Sequence, residues 1–248
     1  MSNTQHFVIA CVLAAQAALA DTTYTYQIST DTYLDSANPT RNYGLSVSDK
    51  VVINSTSVCR TLFDLPTGLW SHSPSDIVSA SVSFYVWNDS TATYNVSLFP
   101  LTRAFSVGTS ATPADGATWG TYDGIQSWTT AGGDFDSANS VVGVKGSLGV
   151  NPSDPNGRFF TFDIRSLLAN ATTEAELQNY GAMLRIDETI PASGQRFASF
   201  TSANSTTYGA PYLPFLELTV VPEPFSAILV VAGLATLPCL RKKREARC

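Results

Sequence analysis

Histidine, cysteine and lysine are scarce in this 248-residue chain, and each scarcity closes a route to function. Of the 14 Lys and Arg residues, Arg241, Lys242, Lys243, Arg244 and Arg247 crowd into the last eight positions, leaving nine for the rest. Those nine, with Lys50 and Lys145 the only lysines among them, face 19 of the 20 acidic residues. A body about ten charges negative lacks the basic face that neutralises phosphates, so no nucleic-acid partner is expected and anionic membrane surfaces are poor ones. Cys11 lies near one end and Cys239 and Cys248 near the other, which leaves Cys59 alone in the body and excludes a disulfide framework there. Its setting, Val58-Cys59-Arg60-Thr61-Leu62-Phe63, reads it as a small buried hydrophobe. The body's one histidine, His72, sits in a Ser- and Pro-rich turn and reads as a solvated loop residue. One His and one Cys cannot build a zinc site of the His/Cys type, and any Ser/His/Asp triad would have to use His72. Gly-x-Ser-x-Gly, His-Glu-x-x-His and a P-loop are also missing, so no catalytic residue is assigned and a non-enzymatic protein is expected.

What the chain does have is β patterning. A 44% hydrophobic content with 14% charged residues is too apolar for a disordered chain. In Val78 to Trp87 the even positions are apolar and the first odd ones are serines, the period-2 signature of a strand with one face in a core. Tyr85 and Trp87 give the other face an aromatic end, suited to packing or to a ligand. Further strands are expected at 24–28, 50–54, 58–64, 94–99, 141–144, 159–164, 182–187, 196–201 and 213–220. Gly, Pro, Asn and Asp clusters such as 151–157 separate them. About ten short strands without a βαβ rhythm predict an all-β, antiparallel β-sandwich, jelly-roll-like, spanning residues 21–220. One short helix is expected near Thr172-Thr173-Glu174-Ala175-Glu176, with a Thr cap ahead of first-turn acids.

The two ends read as addresses. Residues 7–19 form a short apolar stretch, and Ala18-Leu19-Ala20 before Asp21 has the small-residue layout of a secretory cleavage site, giving a signal peptide at 1–20 cut between Ala20 and Asp21. Residues 225–240 are uncharged and largely apolar, spanning about 24 Å as a helix at ~1.5 Å per residue. That is short for a ~30 Å hydrocarbon core, so a transient transmembrane helix is expected, with the basic cluster on the cytoplasmic side. Pro222-Glu223-Pro224, the apolar run and then Arg241-Lys242-Lys243-Arg244 resemble the PEP-CTERM sorting signal of exopolysaccharide-producing Gram-negative bacteria. The resemblance, over residues 221–248, implies an exosortase-type processing enzyme as partner and delivery to the cell surface or extracellular matrix after transient inner-membrane anchoring.

A second resemblance covers the body. Asp31, Asn42-Tyr43-Gly44, Arg60 to Leu65, Val78 to Trp87, Thr118-Trp119, Gly132 to Asp136, Phe160 to Asp163, Tyr180 to Leu184, Phe200-Thr201-Ser202 and Pro211 to Leu218 follow in an order similar to the DNRLRE domain. That resemblance implies a β-sandwich related to disaggregatase-type modules, found in secreted proteins and beside polysaccharide-degrading domains, some members being treated as carbohydrate-binding modules.

Candidate site residues follow from side-chain chemistry. Sugars need aromatic faces and planar polar groups, and Trp119, Tyr122 and Trp128 lie in a Gly-rich loop that can supply them. Within Gly132-Gly133-Asp134-Phe135-Asp136, Asp134 and Asp136 project to one side if the chain is extended, a pattern able to bind a structural Ca²⁺; no cofactor is otherwise required. Asp31 and Asp35 around Tyr33 repeat the pattern, although such residues also make local turns. Asp64 and Asp163 are expected to accept backbone N–H groups or to pair with Arg60 or Arg165. The expected function is an exported surface or exopolysaccharide (biofilm) matrix protein with weak carbohydrate binding. Two alternatives stay open: a polysaccharide lyase or glycoside hydrolase drawing on the fourteen aspartates, and a structural surface protein without a specific ligand.

Overall fold

The computed structural model describes residues 20–91, 93–147, 157–188 and 194–221. The apolar run 225–240, Pro222, Glu223, Pro224 and the cluster Arg241, Lys242, Lys243, Arg244 lie outside the described residues, as does the apolar part of the expected signal peptide. Ala20 and Asp21, the expected cleavage pair, are exposed. The chain divides into one unit of residues 24–218 and another of 1–23 with 219–248; in the second, the hydroxyls of Thr23 and Thr219 meet at 3.1 Å.

The strands are β1 (Thr22–Gln27), β2 (Asp31–Asp35), β3 (Ser48–Ile53), β4 (Val58–Phe63), β5 (Ile77–Asp89), β6 (Val96–Pro100), β7 (Val141–Val142), β8 (Val144–Lys145), β9 (Arg158–Asp163), β10 (Ala182–Ile186), β11 (Arg196–Thr201) and β12 (Phe215–Val220). Every pairing with a defined register is antiparallel, so the chain is all-β and sandwich-like. The order is β1-β12-β5-β11-β3-β4-β10-β6-β7, with β2 on β4, and with β9 bridging β5 and β8. The thirteen-residue β5 serves more than one neighbour: Ser81 to Val86 pair with β9, and Val86 to Asp89 pair with β11 across a bulge. In β3, only Val52 and Ile53 have partners on β4, while the whole strand pairs with β11.

The period-2 reading of β5 holds from Ala80 onward, since Ala80, Val82, Phe84 and Val86 are buried, whereas Val78 is 48% exposed. Phe84 touches Phe63, Phe162 and Phe200 at ring separations of 5.0–6.4 Å, all edge-on, the geometry in which ring quadrupoles attract. Tyr85 on the opposite face is also fully buried, covered by Phe159, Tyr208 and Tyr212, so its aromatic face packs and is not open to solvent.

Two expectations need correction. Among the described residues, α-helical structure comprises two short elements, α1 (Arg165–Leu168) and α2 (Ala171–Tyr180), and α2 is capped by Asn170, whose Oδ1 accepts from Thr172 N at 2.9 Å. Asn is as good a cap as Thr and stands where the first free amides fall. Asp31 to Asp35 forms strand β2 with all five residues buried, not an acidic turn. Its acids hid it: alternation between polar and apolar cannot appear in a strand covered on both faces.

Candidate functional site

Between β6 and β7 the chain runs through residues 101–140 with isolated bridges in place of continuous strands. Forty residues without regular structure need other anchors, and buried polar side chains provide them. Asn42, 3% exposed, donates from Nδ2 to the carbonyls of Val107 (2.6 Å) and Ala117 (2.9 Å). Arg60 on β4 donates through Nη1 to Gly132 O at 2.7 Å and binds Glu188 with two parallel bonds of 2.9 and 2.8 Å. Its guanidinium lies 4.9 Å from the Trp119 ring centroid. Gly132 has φ +90° there, and a Cβ on it would stand 2.7 Å from Arg60 Nη1 and 2.8 Å from the Trp119 ring, so only glycine fits. Arg60 therefore pairs with Glu188, not with Asp64, while Asp163 accepts from Arg165 N as expected.

The loop brings Trp119, Tyr122 and Trp128 together, but in different roles. Trp128 is 5% exposed, donates Nε1–H to Thr118 O at 2.9 Å and belongs to a core with Leu34, Leu62, Leu101, Ala117 and Met183. Trp119 and Tyr122 are half-buried against that core, Tyr122 edge-on to Trp128. Arg103 lies over the Tyr122 ring at 4.9 Å. Beside it a cleft of about 390 Å³ is lined by Arg103, Thr129, Thr130, Asp134, Phe135 and Ser137.

Asp134 and Asp136 are already engaged. Asp134 accepts from Thr129 N (3.0 Å), Thr130 N (2.9 Å) and Arg103 Nε (3.0 Å); partial burial opposes its charge, but these donors win and hold its pKa below the usual carboxylate value. Asp136 accepts from Asn139 Nδ2 and Ala138 N, which likewise lower its pKa. Among the described residues no three His, Cys, Asp or Glu side chains cluster as metal ligands.

Asp31 and Asp49 form a buried carboxyl pair, 1% and 0% exposed. Asp31 accepts from Ser202 Oγ (2.8 Å) and Ala203 N (2.7 Å). Both Asp49 oxygens are buried without a donor from elsewhere, and the Asp31 carboxyl beside them favours a protonated Asp49 that shares its proton with Asp31. Burial first, and then the charge of Asp31, push the Asp49 pKa well above the ordinary value. No substrate reaches this pair, which removes it from consideration as a hydrolytic dyad. Cys59 is 3% exposed with its thiol pKa pushed by burial to about 11, an inert buried thiol. His72 packs on Tyr24 at a ring separation of 5.1 Å and is half-buried, so it is less solvated than its turn suggests.

A second polar surface was not singled out in the sequence. Residues from β2, β4, β3, β11 and β5 share a cleft of about 440 Å³ lined by Asp35, Lys50, Asn88, Gln195, Phe197 and Ser199, among others. Cross-strand register builds it: Lys50 stands opposite Ser199, Ser199 opposite Asn88, and Val52 opposite Phe197. A neighbouring cleft of about 340 Å³ includes Tyr33, Arg41 and Tyr43. The alternation Lys50-Val51-Val52-Ile53 was the available signal, since it places Lys50 and Val52 on one face.

No protein-family model matches the chain, and no curated protein matches it at a significant level.

Proposed function

We propose that the chain is an exported bacterial surface or exopolysaccharide-matrix protein, sorted by an exosortase-type enzyme through residues 221–248, whose jelly-roll-like body contacts carbohydrate without catalysis. The observation that carries this reading is the chemistry of the open clefts. They present amides, hydroxyls and half-buried aromatic rings, the groups that meet sugar hydroxyls and ring faces, while the nearby carboxylates are consumed as acceptors. Asp35, Asp115, Asp123, Asp134 and Asp136 each accept hydrogen bonds from their own turns, which suits structure better than acid–base work. Trp119 and Tyr122, half-buried in the loop and outside the lining of its cleft, remain the proposed stacking residues, and Trp128 supports them from the core. A structural Ca²⁺ at Asp134 and Asp136 would have to displace the donors described above. The resemblances to the PEP-CTERM signal and the DNRLRE domain support the setting and rest on the motifs alone.

The test is retention of the purified chain on a panel of neutral and acidic polysaccharides, with product analysis in the same tubes. Retention without new reducing ends or unsaturated products is expected. Steady release of either product would support the lyase or hydrolase reading instead, and no retention on any polysaccharide would leave a structural surface protein.

A further inference from the structure

The nine cations between residues 41 and 196 are unevenly employed. Five of them, Arg60, Arg103, Lys145, Arg158 and Arg185, end in ion pairs with Glu188, Asp134 or Asp89. Arg165 and Arg196 donate to the carbonyls of Ile77 and Thr93. Only Arg41 and Lys50, among the described cations, have side chains with neither an ion pair nor a hydrogen bond, and they flank one aromatic stack. Tyr33 and Tyr43 stack at 4.0 Å; Lys50 Nζ lies 4.6 Å from the Tyr33 centroid and the Arg41 guanidinium 5.4 Å from that of Tyr43. Lys50 lines the sheet-face cleft and Arg41 the adjoining one.

The acid in this neighbourhood is already occupied. Asp35 accepts from Ser57 Oγ (2.6 Å), Asn38 Nδ2 (2.8 Å), Ala37 N (2.9 Å) and Tyr43 OH (3.4 Å), so its lone pairs are taken while the N–H donors of Lys50 are not. Lys50 acts on Asp35 through charge alone, without an ion pair, so both cations keep their N–H donors free, and a carboxylate meeting them gains charge-assisted hydrogen bonds. Around them Asn88, Gln195 and Ser199 offer donors and acceptors for sugar hydroxyls, and Phe197 a half-buried ring.

We propose that the clefts flanking the Tyr33–Tyr43 stack form a binding site for an acidic glycan, with Lys50 gripping a carboxylate in the sheet-face cleft, Arg41 a second one on the other side of the stack, and Phe197 and Asn88 the sugar beside Lys50. The inference rests on the carbohydrate-contact reading above and names its ligand class and residues. The negative charge of the rest of the body is screened beyond about 8 Å at physiological ionic strength, so it opposes densely charged polymers more than a short acidic oligosaccharide.

The experiment is titration calorimetry of the full chain with oligogalacturonate and with the neutral oligogalactoside of equal length, repeated on Lys50→Met, Arg41→Gln and Phe197→Ala, with Arg165→Gln, outside the clefts, as control. Tighter binding of the acidic sugar is expected, weakened about tenfold by each cation replacement and unaffected by Arg165→Gln. Thermal melts of the variants guard against misfolding, since neither the Lys50 nor the Arg41 side chain makes an internal ion pair or hydrogen bond and Asp35 keeps its other donors without Lys50. Equal binding of the two sugars, or acidic binding that survives Lys50→Met with Arg41→Gln, overturns this inference and leaves the general carbohydrate reading intact. Failure of the chain to bind these sugars or any member of the polysaccharide panel overturns both.

Discussion

Replacing Asp49 by asparagine should make the protein more stable at neutral pH, although it alters a fully buried native side chain. Burial and then the adjacent Asp31 hold the pKa of Asp49 well above the 3.8 of an ordinary carboxyl, so it keeps its proton to higher pH in the folded state than in the unfolded chain. A carboxyl with a raised folded-state pKa contributes stability that is complete below the unfolded value and lost as pH rises toward the folded one. Each pH unit over which Asp49 stays protonated while its unfolded counterpart is ionised removes about 1.4 kcal/mol. As pH rises from 5 the native protein should therefore lose stability progressively through this residue, up to the pH at which Asp49 ionises in the folded state. The side-chain amide introduced by Asp49→Asn would still donate to Asp31 and cannot ionise, so the variant is spared that loss. For a domain of this size a change of 1 kcal/mol moves Tm by about 2–4 °C, so each pH unit over which Asp49 stays protonated only in the folded state should separate the two melting temperatures by roughly 3–6 °C. Calorimetry or circular dichroism melts at pH 5, 6 and 7 measure this directly. Asp64, raised by burial to about 6, tilts both proteins alike and cancels in the difference. Parallel Tm profiles for the two proteins, or a variant less stable at pH 7, would refute the shared-proton account of the pair.

Arg60→Met should cost about 1–3 kcal/mol, because Gly132 O loses its donor and Glu188 keeps only Arg185, and limited proteolysis should then cut first within residues 101–140; unchanged protease resistance would show that Arg60 does not hold that segment. Gly132→Ala should destabilise by about 1–3 kcal/mol from its φ of +90° and its closeness to Arg60 and Trp119, read from denaturant midpoints. Below pH 4 stability should fall as Asp35, Asp134 and Asp136 are protonated, because their folded pKa values lie below the unfolded ones and their contribution is lost as pH drops through them; acid titration of Tm reads this out. Addition of a chelator should leave Tm unchanged, since the oxygens of Asp134 and Asp136 already have donors; a drop of several degrees would restore them as calcium ligands.

The strands that bury one face were readable from the chain, and those that bury two were not. In β5 the serine-separated apolar positions announced the strand, and β11 was expected at the residues where it occurs. In β2 both faces are covered, so Asp31 and Asp35 read as turn formers until the hydrogen bonds from Ser202, Ala203 and Ser57 are seen to satisfy them. The Gly-rich segment around Trp119 was legible as a loop, but loop composition says nothing about which tryptophan closes the core. That depended on Leu34, Leu62 and Met183, which come from three separate strands. The scarcity of cations was visible at once. Their employment was not, because Arg41 and Lys50 are distinguished only by what the fold leaves beside them.

Affinity electrophoresis of the purified chain through gels cast with acidic and neutral polysaccharides, with reducing ends and unsaturated products assayed in parallel, tests the central claim most directly. The account predicts retardation, strongest with a uronate-bearing polymer of low charge density, and no product. Unretarded migration in every gel, or product accumulating with time, would contradict it.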